Sequence, residues 1–365
     1  MRLEFYQNIP AKLSYDLLSF TNTSPRYVIN PVTGEVLGPF AANVPAIITI
    51  GGKRYLSSWK SLGNLLTYSN DLTNVLWKYD GVNGGIASID GAALAPDGAS
   101  GVSLLTTRNI SAPGSRSCRT VTIPTGTLFS TWAKRGTQYS WACLRFGSPA
   151  NPLVTSFVPP SVWTRYTRAI AGTNYYPVIY NDKNGDNDVP NPVTGDNVYY
   201  WCAQVEIANY PGRPIPTTSE SIVTNKDQCK LVAANVPDAL KDKCTIHVIP
   251  EWSSDQVTTG DLRYIGEFAD TTQNIKVYYN GTDKKIYVYG ASALITSSAT
   301  THLAGQQLNV SLDRVAGTLK LNGFTTGNGT STGTAWNKTN GILYVGQDAT
   351  EANQFDGLIA EPEIW

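Results

Sequence analysis

The sharpest pattern in the chain is a strict two-residue alternation towards its C-terminal end. Ile275, Val277 and Tyr279 alternate with Lys276 and Tyr278, and Asn280-Gly281-Thr282-Asp283 then supplies turn residues. Beyond the turn Ile286 and Val288 resume one face, with Tyr287 and Tyr289 on the other. Successive side chains of a strand point to opposite faces, so this reads as a half-buried antiparallel hairpin. Leu308, Val310 and Leu312 repeat the pattern and pair with Leu319 and Leu321 across Val315-Ala316-Gly317. The last strands expected are Ile342 to Gly346 and Leu358 to Trp365. Together they predict a sandwich over residues 226–365.

Upstream, short apolar segments recur between turn signals: Gly101 to Thr106, Cys118 to Ile123, Thr127 to Lys134, Ser140 to Phe146, Trp163 to Ile170, Tyr175 to Tyr180 and Val198 to Ile207. Strands at that spacing, without amphipathic helices between them, predict an antiparallel sandwich or jelly roll over residues 63–225. One or two helical turns are expected near Asn70 to Trp77, capped by Asn70 or Asp71. Pro211, Pro214 and Pro216 then fix an extended connection, because proline lacks a ladder donor.

Residues 1–62 look different. Asn30-Pro31 with Thr33-Gly34 marks a turn, and the run from Pro45 to Ile50 a strand, with Gly51-Gly52 after it. So few apolar residues make a poor independent domain. The expectation is a docking arm that uses Phe5, Tyr6, Leu17, Leu18 and Phe20 to bind other subunits or a symmetry mate. The fold class is thus all-β: two antiparallel β-sandwich domains, 63–225 and 226–365, after a short N-terminal arm.

Composition sharpens this. The 365 residues include 20 Tyr and 9 Trp but one Met and two His, a balance suited to pleated, half-buried surfaces. Lys+Arg and Asp+Glu are both 28, which argues against a nucleic-acid partner. No apolar stretch approaches the ~20 residues of a membrane helix, and the N-terminal residues lack a signal-peptide core. The five cysteines, Cys118, Cys143, Cys202, Cys229 and Cys244, form no CxxC pair, which argues against a zinc site and makes reduced thiols the expectation. If two did bridge, Cys118 and Cys143 would be the pair to suspect. The six N-x-S/T triplets are read as accidents of composition rather than glycan sites.

A run of motifs then adds a family resemblance. The segment NLLTYSNDLTNVLW at 64–77, Ala95-Pro96-Asp97-Gly98, the strand from Phe129 to Gly136, Trp163 with Arg165, and VYYWCAQVE at 198–206 followed by Pro214-Ile215-Pro216-Thr217-Thr218 occur in order. They resemble a jelly-roll module of bacteriophage virion proteins that is similar to carbohydrate-binding modules. Cys202 departs from the pattern, which has glycine there. Residues 226–365 resemble a concanavalin-A or laminin-G-like sandwich at the level of shape, through the Leu308 to Gly323 hairpin and the closing Gly357 to Trp365 strand. The resemblance implies a virion location, assembled in the bacterial cytoplasm, in a tail fibre, tail tip or head decoration.

Candidate chemistry is sparse. Asp182, Asn184, Asp186 and Asp188 place oxygen ligands at alternate positions, as calcium prefers, but Gly185 is misplaced for a calcium loop, no Glu follows at the twelfth position, and turn chemistry is the favoured account of the stretch. No other cofactor is expected. His247 and His302 are the sole imidazoles, and a triad on His247 has no support. Glu206, Glu251, Asp261, Glu267 and Glu361 lie in or near strands, without any pairing visible for a glycosidase. Trp201, Gln204 and Glu206 read as a structural corner, and Trp77, Trp132, Trp163 and Trp201 as core. Aromatics beside hydroxyl-reading side chains remain the best functional signal. Tyr175-Tyr176, Trp336 with Asn337, and Tyr278 or Tyr287 are candidate sugar platforms. The expected function is attachment to host surface glycans by a non-enzymatic, homotrimeric adhesin. Capsid decoration is the alternative, and a capsular depolymerase is disfavoured because no β-helical repeat occurs.

Overall fold

A computed structural model describes residues 14–78, 86–106, 115–118, 123–124, 126–136, 142–147, 153–169, 176–180, 195–232, 243–269, 274–289, 294–313, 316, 318–328, 341–350 and 352–364. Among the described residues the chain is all-β, with antiparallel sheets and a single 3-10 turn at Tyr15–Leu17. It divides into two compact units.

The first unit comprises Pro25–Phe40 and Leu62–Thr224. One of its five-stranded sheets runs Leu153–Phe157, Ala142–Gly147, Tyr176–Tyr180, Ser115–Cys118, Trp77–Lys78. The other runs Thr164–Ala169, Thr127–Arg135, Asn197–Ile207, Ser100–Thr106, Ile86–Leu94. Trp77, Leu144, Phe157 and Ile179 from one sheet pack on Leu105, Phe129, Val198 and Val205 from the other, which makes a sandwich core. Most strands sit close to the positions expected from alternation, but Ser115–Cys118 meets the expected Cys118 to Ile123 only at Cys118, and Leu153–Phe157 was not expected. Ile86–Leu94 was not anticipated, because its apolar residues lack a clean period of two.

A bulge between Ser130 and Trp132 interrupts the pairing with Asn197–Ile207, and Cys202 opposite it takes φ +49°. The extra residue resets the alternation, so Trp201 and Cys202 both leave the sandwich core. They form a second core on the outer face with Val36, Ala95, Val102 and Trp132. The hairpin Arg26–Ile29/Val36–Phe40 lies there, and its Tyr27 meets Trp201 edge-on at 6.1 Å. The turn at Asn30 has the expected chemistry, with Gly34 N donating to Asn30 O at 2.8 Å. No helix forms at 70–77. Asp71 Oδ1 accepts from Thr73 N and Asn74 Oδ1 from Leu76 N, local bonds that compete with a helix ladder.

The second unit comprises residues 14–24, Ala41–Ser61 and the described part of Asn225–Trp365. Its seven-stranded sheet runs Ser19–Thr21, Gln228–Val232, Ile342–Val345, Leu262–Ala269, Asn274–Asn280, Lys285–Tyr289, Leu294–Thr296. The facing sheet runs Phe324–Asn328, Thr318–Leu321, Leu308–Asp313, Lys243–Pro250, Gly357–Ala360, Lys53–Ser58, Ile47–Ile50, with Glu363–Ile364 also on Lys243–Pro250. Both alternating hairpins appear in the register the pattern predicts, Val277 opposite Val288 and Val310 opposite Leu321. A small apolar cavity of about 30 Å³ lies between the sheets, lined by Cys244, Ile265, Phe268, Val277, Leu343 and Ile359.

The arm expected over residues 1–62 takes a different form. Residues 1–13, with Phe5 and Tyr6, lie outside the described set. The rest supplies a hairpin to the first unit and the strands Ser19–Thr21, Ile47–Ile50 and Lys53–Ser58 to the second. The physical reason is that short strands must borrow a sheet to bury their apolar face. Gly51 and Gly52, at φ +55° and +78°, close the tight hairpin that makes this possible.

Candidate functional site

Seven of the eight site residues expected from sequence, Tyr175, Trp336, Asn337, Asp182, Asn184, Asp186 and Asp188, lie outside the described residues. Tyr176 opens the strand Tyr176–Tyr180, and its side chain lies outside them too. Neither of those two sugar platforms nor the calcium loop therefore has a described geometry. Tyr278 and Tyr287 do.

On the outward face of the seven-stranded sheet, Tyr264, Tyr278 and Tyr287 stand opposite one another on three adjacent strands. Tyr264 and Tyr278 stack at 5.1 Å and 21°, and Tyr278 and Tyr287 at 5.3 Å and 4°. Both faces of Tyr278 are therefore occupied by neighbouring rings, which corrects the reading of this residue as a stacking platform. Among the described residues Tyr287 keeps one side free of rings, where Thr296 is the cross-strand neighbour. Its hydroxyl donates to Asp283, and that bond, followed by burial, pushes its pKa up to about 12. Burial first, then the nearby Glu267 and Asp348, raises the Tyr264 pKa.

A second row crosses the same face: Lys230, Tyr344, Glu267, Lys276 and Tyr289 are successive cross-strand neighbours. Lys276 Nζ lies 3.6 Å from Glu267 Oε1 and 5.9 Å from the Tyr264 ring centre. Glu267 is buried and its other oxygen accepts from Ala349 N at 2.8 Å. At the opposite end Tyr289 is 47% exposed, a large ring left to solvent. The ladder thus offers phenol hydroxyls, one ring face at Tyr287, an exposed ring at Tyr289, and an ammonium beside them. That set suits a ligand carrying both hydroxyls and C–H faces.

The first unit carries an aromatic shelf the sequence reading missed. Trp163, assigned to the core, is only half-buried, and its Nε1 donates to Leu94 O at 2.9 Å. Its ring meets Tyr199 at 6.5 Å and 62°. Tyr199 Oη donates to Asp90 Oδ2 at 2.7 Å, which is the main cause of a pKa near 12 for the phenol and holds the carboxyl below its usual range. Trp77, Trp132 and Trp201 are buried as expected. The signal for Trp163 was its place just before the strand Thr164–Ala169, at the margin of the bulged sheet.

The remaining titratable candidates have structural employment. Gln204 Nε2 donates to Glu206 Oε2 and to Arg213 O, both at 3.1 Å, and Ile215 N donates to Gln204 Oε1 at 2.9 Å. Gly212 N donates to Glu206 Oε1 at 3.0 Å, and Arg165 Nη2 lies 3.5 Å from that oxygen. These side chains anchor the proline-rich connection, as the corner reading expects. His247 Nδ1 meets Asn309 Oδ1 at 2.5 Å, and its Nε2 faces Glu363 at 3.6 Å. His302 is 4% exposed, edge-on to Trp252 at 4.7 Å. Among the described residues no group of three metal-ligating side chains occurs. No described helix is long and apolar enough to cross a membrane.

No family model and no curated protein matches the chain. Among solved structures, the N-terminal CBM22-1–CBM22-2 tandem domain of Paenibacillus barcinonensis Xyn10C aligns over 84% of this chain and 97% of its own. The identity is 11% and the TM-score 0.28. At those values the ligand of that protein has no bearing on this one, and the fold rests on the strands themselves.

Proposed function

We propose that the chain is a non-enzymatic structural protein of a bacteriophage virion that attaches to host surface glycans, in a tail-fibre or tail-tip position. The observation that carries the binding half is the tyrosine ladder, with Tyr287 and Tyr289 offering ring surface beside Lys276 and Asp283. The virion half rests on the ordered motifs between residues 64 and 218. A single shallow site of this kind binds weakly, at about millimolar Kd or ~4 kcal/mol. Useful attachment then requires several linked copies, and a homotrimer supplies them.

The test is a glycan array with the intact protein, followed by end-group analysis of host polysaccharide incubated with it. Binding without new reducing ends is expected, and Tyr287→Ala with Tyr289→Ala should lower it about tenfold. New reducing ends would make the protein an enzyme. A monomer in sedimentation at micromolar concentration would remove the trimer. A second reading, a head-decoration protein, is favoured by one observation: Ile86 and Ile89 are exposed on the edge strand Ile86–Leu94. Imaging the protein on the particle separates head from tail.

A further inference from the structure

Lys134 stands opposite Tyr199 in the pairing of Thr127–Arg135 with Asn197–Ile207, on the outer face of the first unit. Its ammonium lies 5.0 Å from the Trp163 ring centre and 5.1 Å from that of Tyr199. No carboxylate lies within ion-pair distance of it among the described residues, although its charge reaches Asp90 and helps to hold that carboxyl ionised. The nearby Asp90 already accepts from Tyr199 Oη and from the backbone N–H of Ala92 and Ala93. The cation is thus held in place by two aromatic rings while its N–H donors stay uncommitted. Beside it an apolar rim is open to solvent: Leu94 is 56% exposed and Val162 65%, and the Trp163 indole is fixed to Leu94 O.

A positioned ammonium next to apolar surface fits a ligand with an anionic group on a body that has C–H faces. Resting on the reading of the chain as a glycan binder, we infer that this shelf is a second saccharide site, selective for carboxylated sugars. Lys134 takes the carboxylate, and the sugar's C–H face lies against Trp163, Leu94 and Val162. Tyr199 and Asp90 are positioning residues, since they brace the shelf. This differs from the tyrosine ladder, whose lysine is already paired with Glu267.

The experiment compares polygalacturonate with the same polymer after carboxyl reduction, using the full chain and titration followed by tryptophan fluorescence. Reduction of the carboxyls should weaken binding about tenfold or more, the contribution of one charge-assisted contact. Lys134→Gln should lose the same factor and Lys134→Arg should retain binding, with circular dichroism confirming that both fold. Affinity for the acidic polymer should fall with added salt, and less steeply in Lys134→Gln. Tyr287→Ala with Tyr289→Ala should leave this binding unchanged, although it weakens binding of neutral glycans about tenfold. Equal affinity for both polymers, or full affinity in Lys134→Gln, overturns the inference while leaving the ladder intact. Failure of every glycan on the array, neutral and acidic, overturns the broader reading as well.

Discussion

At the scale of single residues, three side chains carry consequences that alternation could not reveal. Gln204 is fully buried and spends both ends on the backbone at 213 and 215 and on Glu206. Gln204→Leu strands those groups, so urea unfolding should show a loss of about 2–4 kcal/mol. Cys202 sits in the left-handed region that favours glycine, which gives a physical meaning to the glycine of the resembling modules. A β-branched residue tolerates that backbone worst, so Cys202→Val should cost about 2–3 kcal/mol while Cys202→Gly stays within about 1 kcal/mol of the parent. His302 is held neutral by burial, its pKa lowered from 6.5 to about 4. Between those values the unfolded chain takes up a proton that the folded chain refuses. Stability therefore falls as pH drops from about 6.5 to about 4, by about 2 kcal/mol after allowance for solvent screening. Above that window the group has no effect. Urea midpoints at pH 7 and 4.5, compared between the parent and His302→Phe, isolate the contribution, because the variant lacks it.

Elements decide which residues become neighbours. Cys118 and Cys143 looked like a possible pair because both fall in strands of one sandwich. Their strands flank Tyr176–Tyr180 on opposite sides, with Cys143 opposite Tyr180 and Ser117 opposite Val178. Two strand spacings put their backbones about 10 Å apart, beyond the ~7 Å limit for a bridge. Cys202, Cys229 and Cys244 are buried and in no disulfide. Denaturation without reductant should therefore expose five reactive thiols to a thiol reagent, and recovery of three would contradict the sheet order. The tyrosine ladder has the same origin. Tyr264 was invisible as a partner of Tyr278 until the bulge between Tyr264 and Gly266 set their register.

For the whole molecule, the first sixty residues matter most. Read alone, they suggested a docking arm. Since Ile47–Ile50 and Lys53–Ser58 complete the eight-stranded sheet through Gly357–Ala360, their removal takes two strands from a core. Tyr15 adds to this, donating its hydroxyl to the carbonyls of Ile359 and Ala360. Deleting residues 1–61 should abolish the cooperative unfolding transition of the second unit while the first keeps much of its sheet, as read by circular dichroism and proteolysis. A deletion that left both transitions intact would restore the arm.

What the amino-acid order determined by itself was everything set by near neighbours. The period of two, the Gly-Gly and Asn-Gly turns and the prolines placed the strands, the all-β class and the two hairpins. Tyr287 was legible as outward-facing for the same reason, since its neighbours Ile286 and Val288 are apolar. What only the tertiary structure decided was set by long-range pairing. The distribution of residues 14–62 between two sandwiches, the exclusion of a Cys118–Cys143 bridge, and the exposure of Trp163 beside Lys134 all depend on which strands meet. A bulge at Ser130–Trp132 turns Trp201 and Cys202 to the outer face together. The physical reason is that burial belongs to a face, and a strand's face is fixed by the register of its partners, which can lie hundreds of residues away.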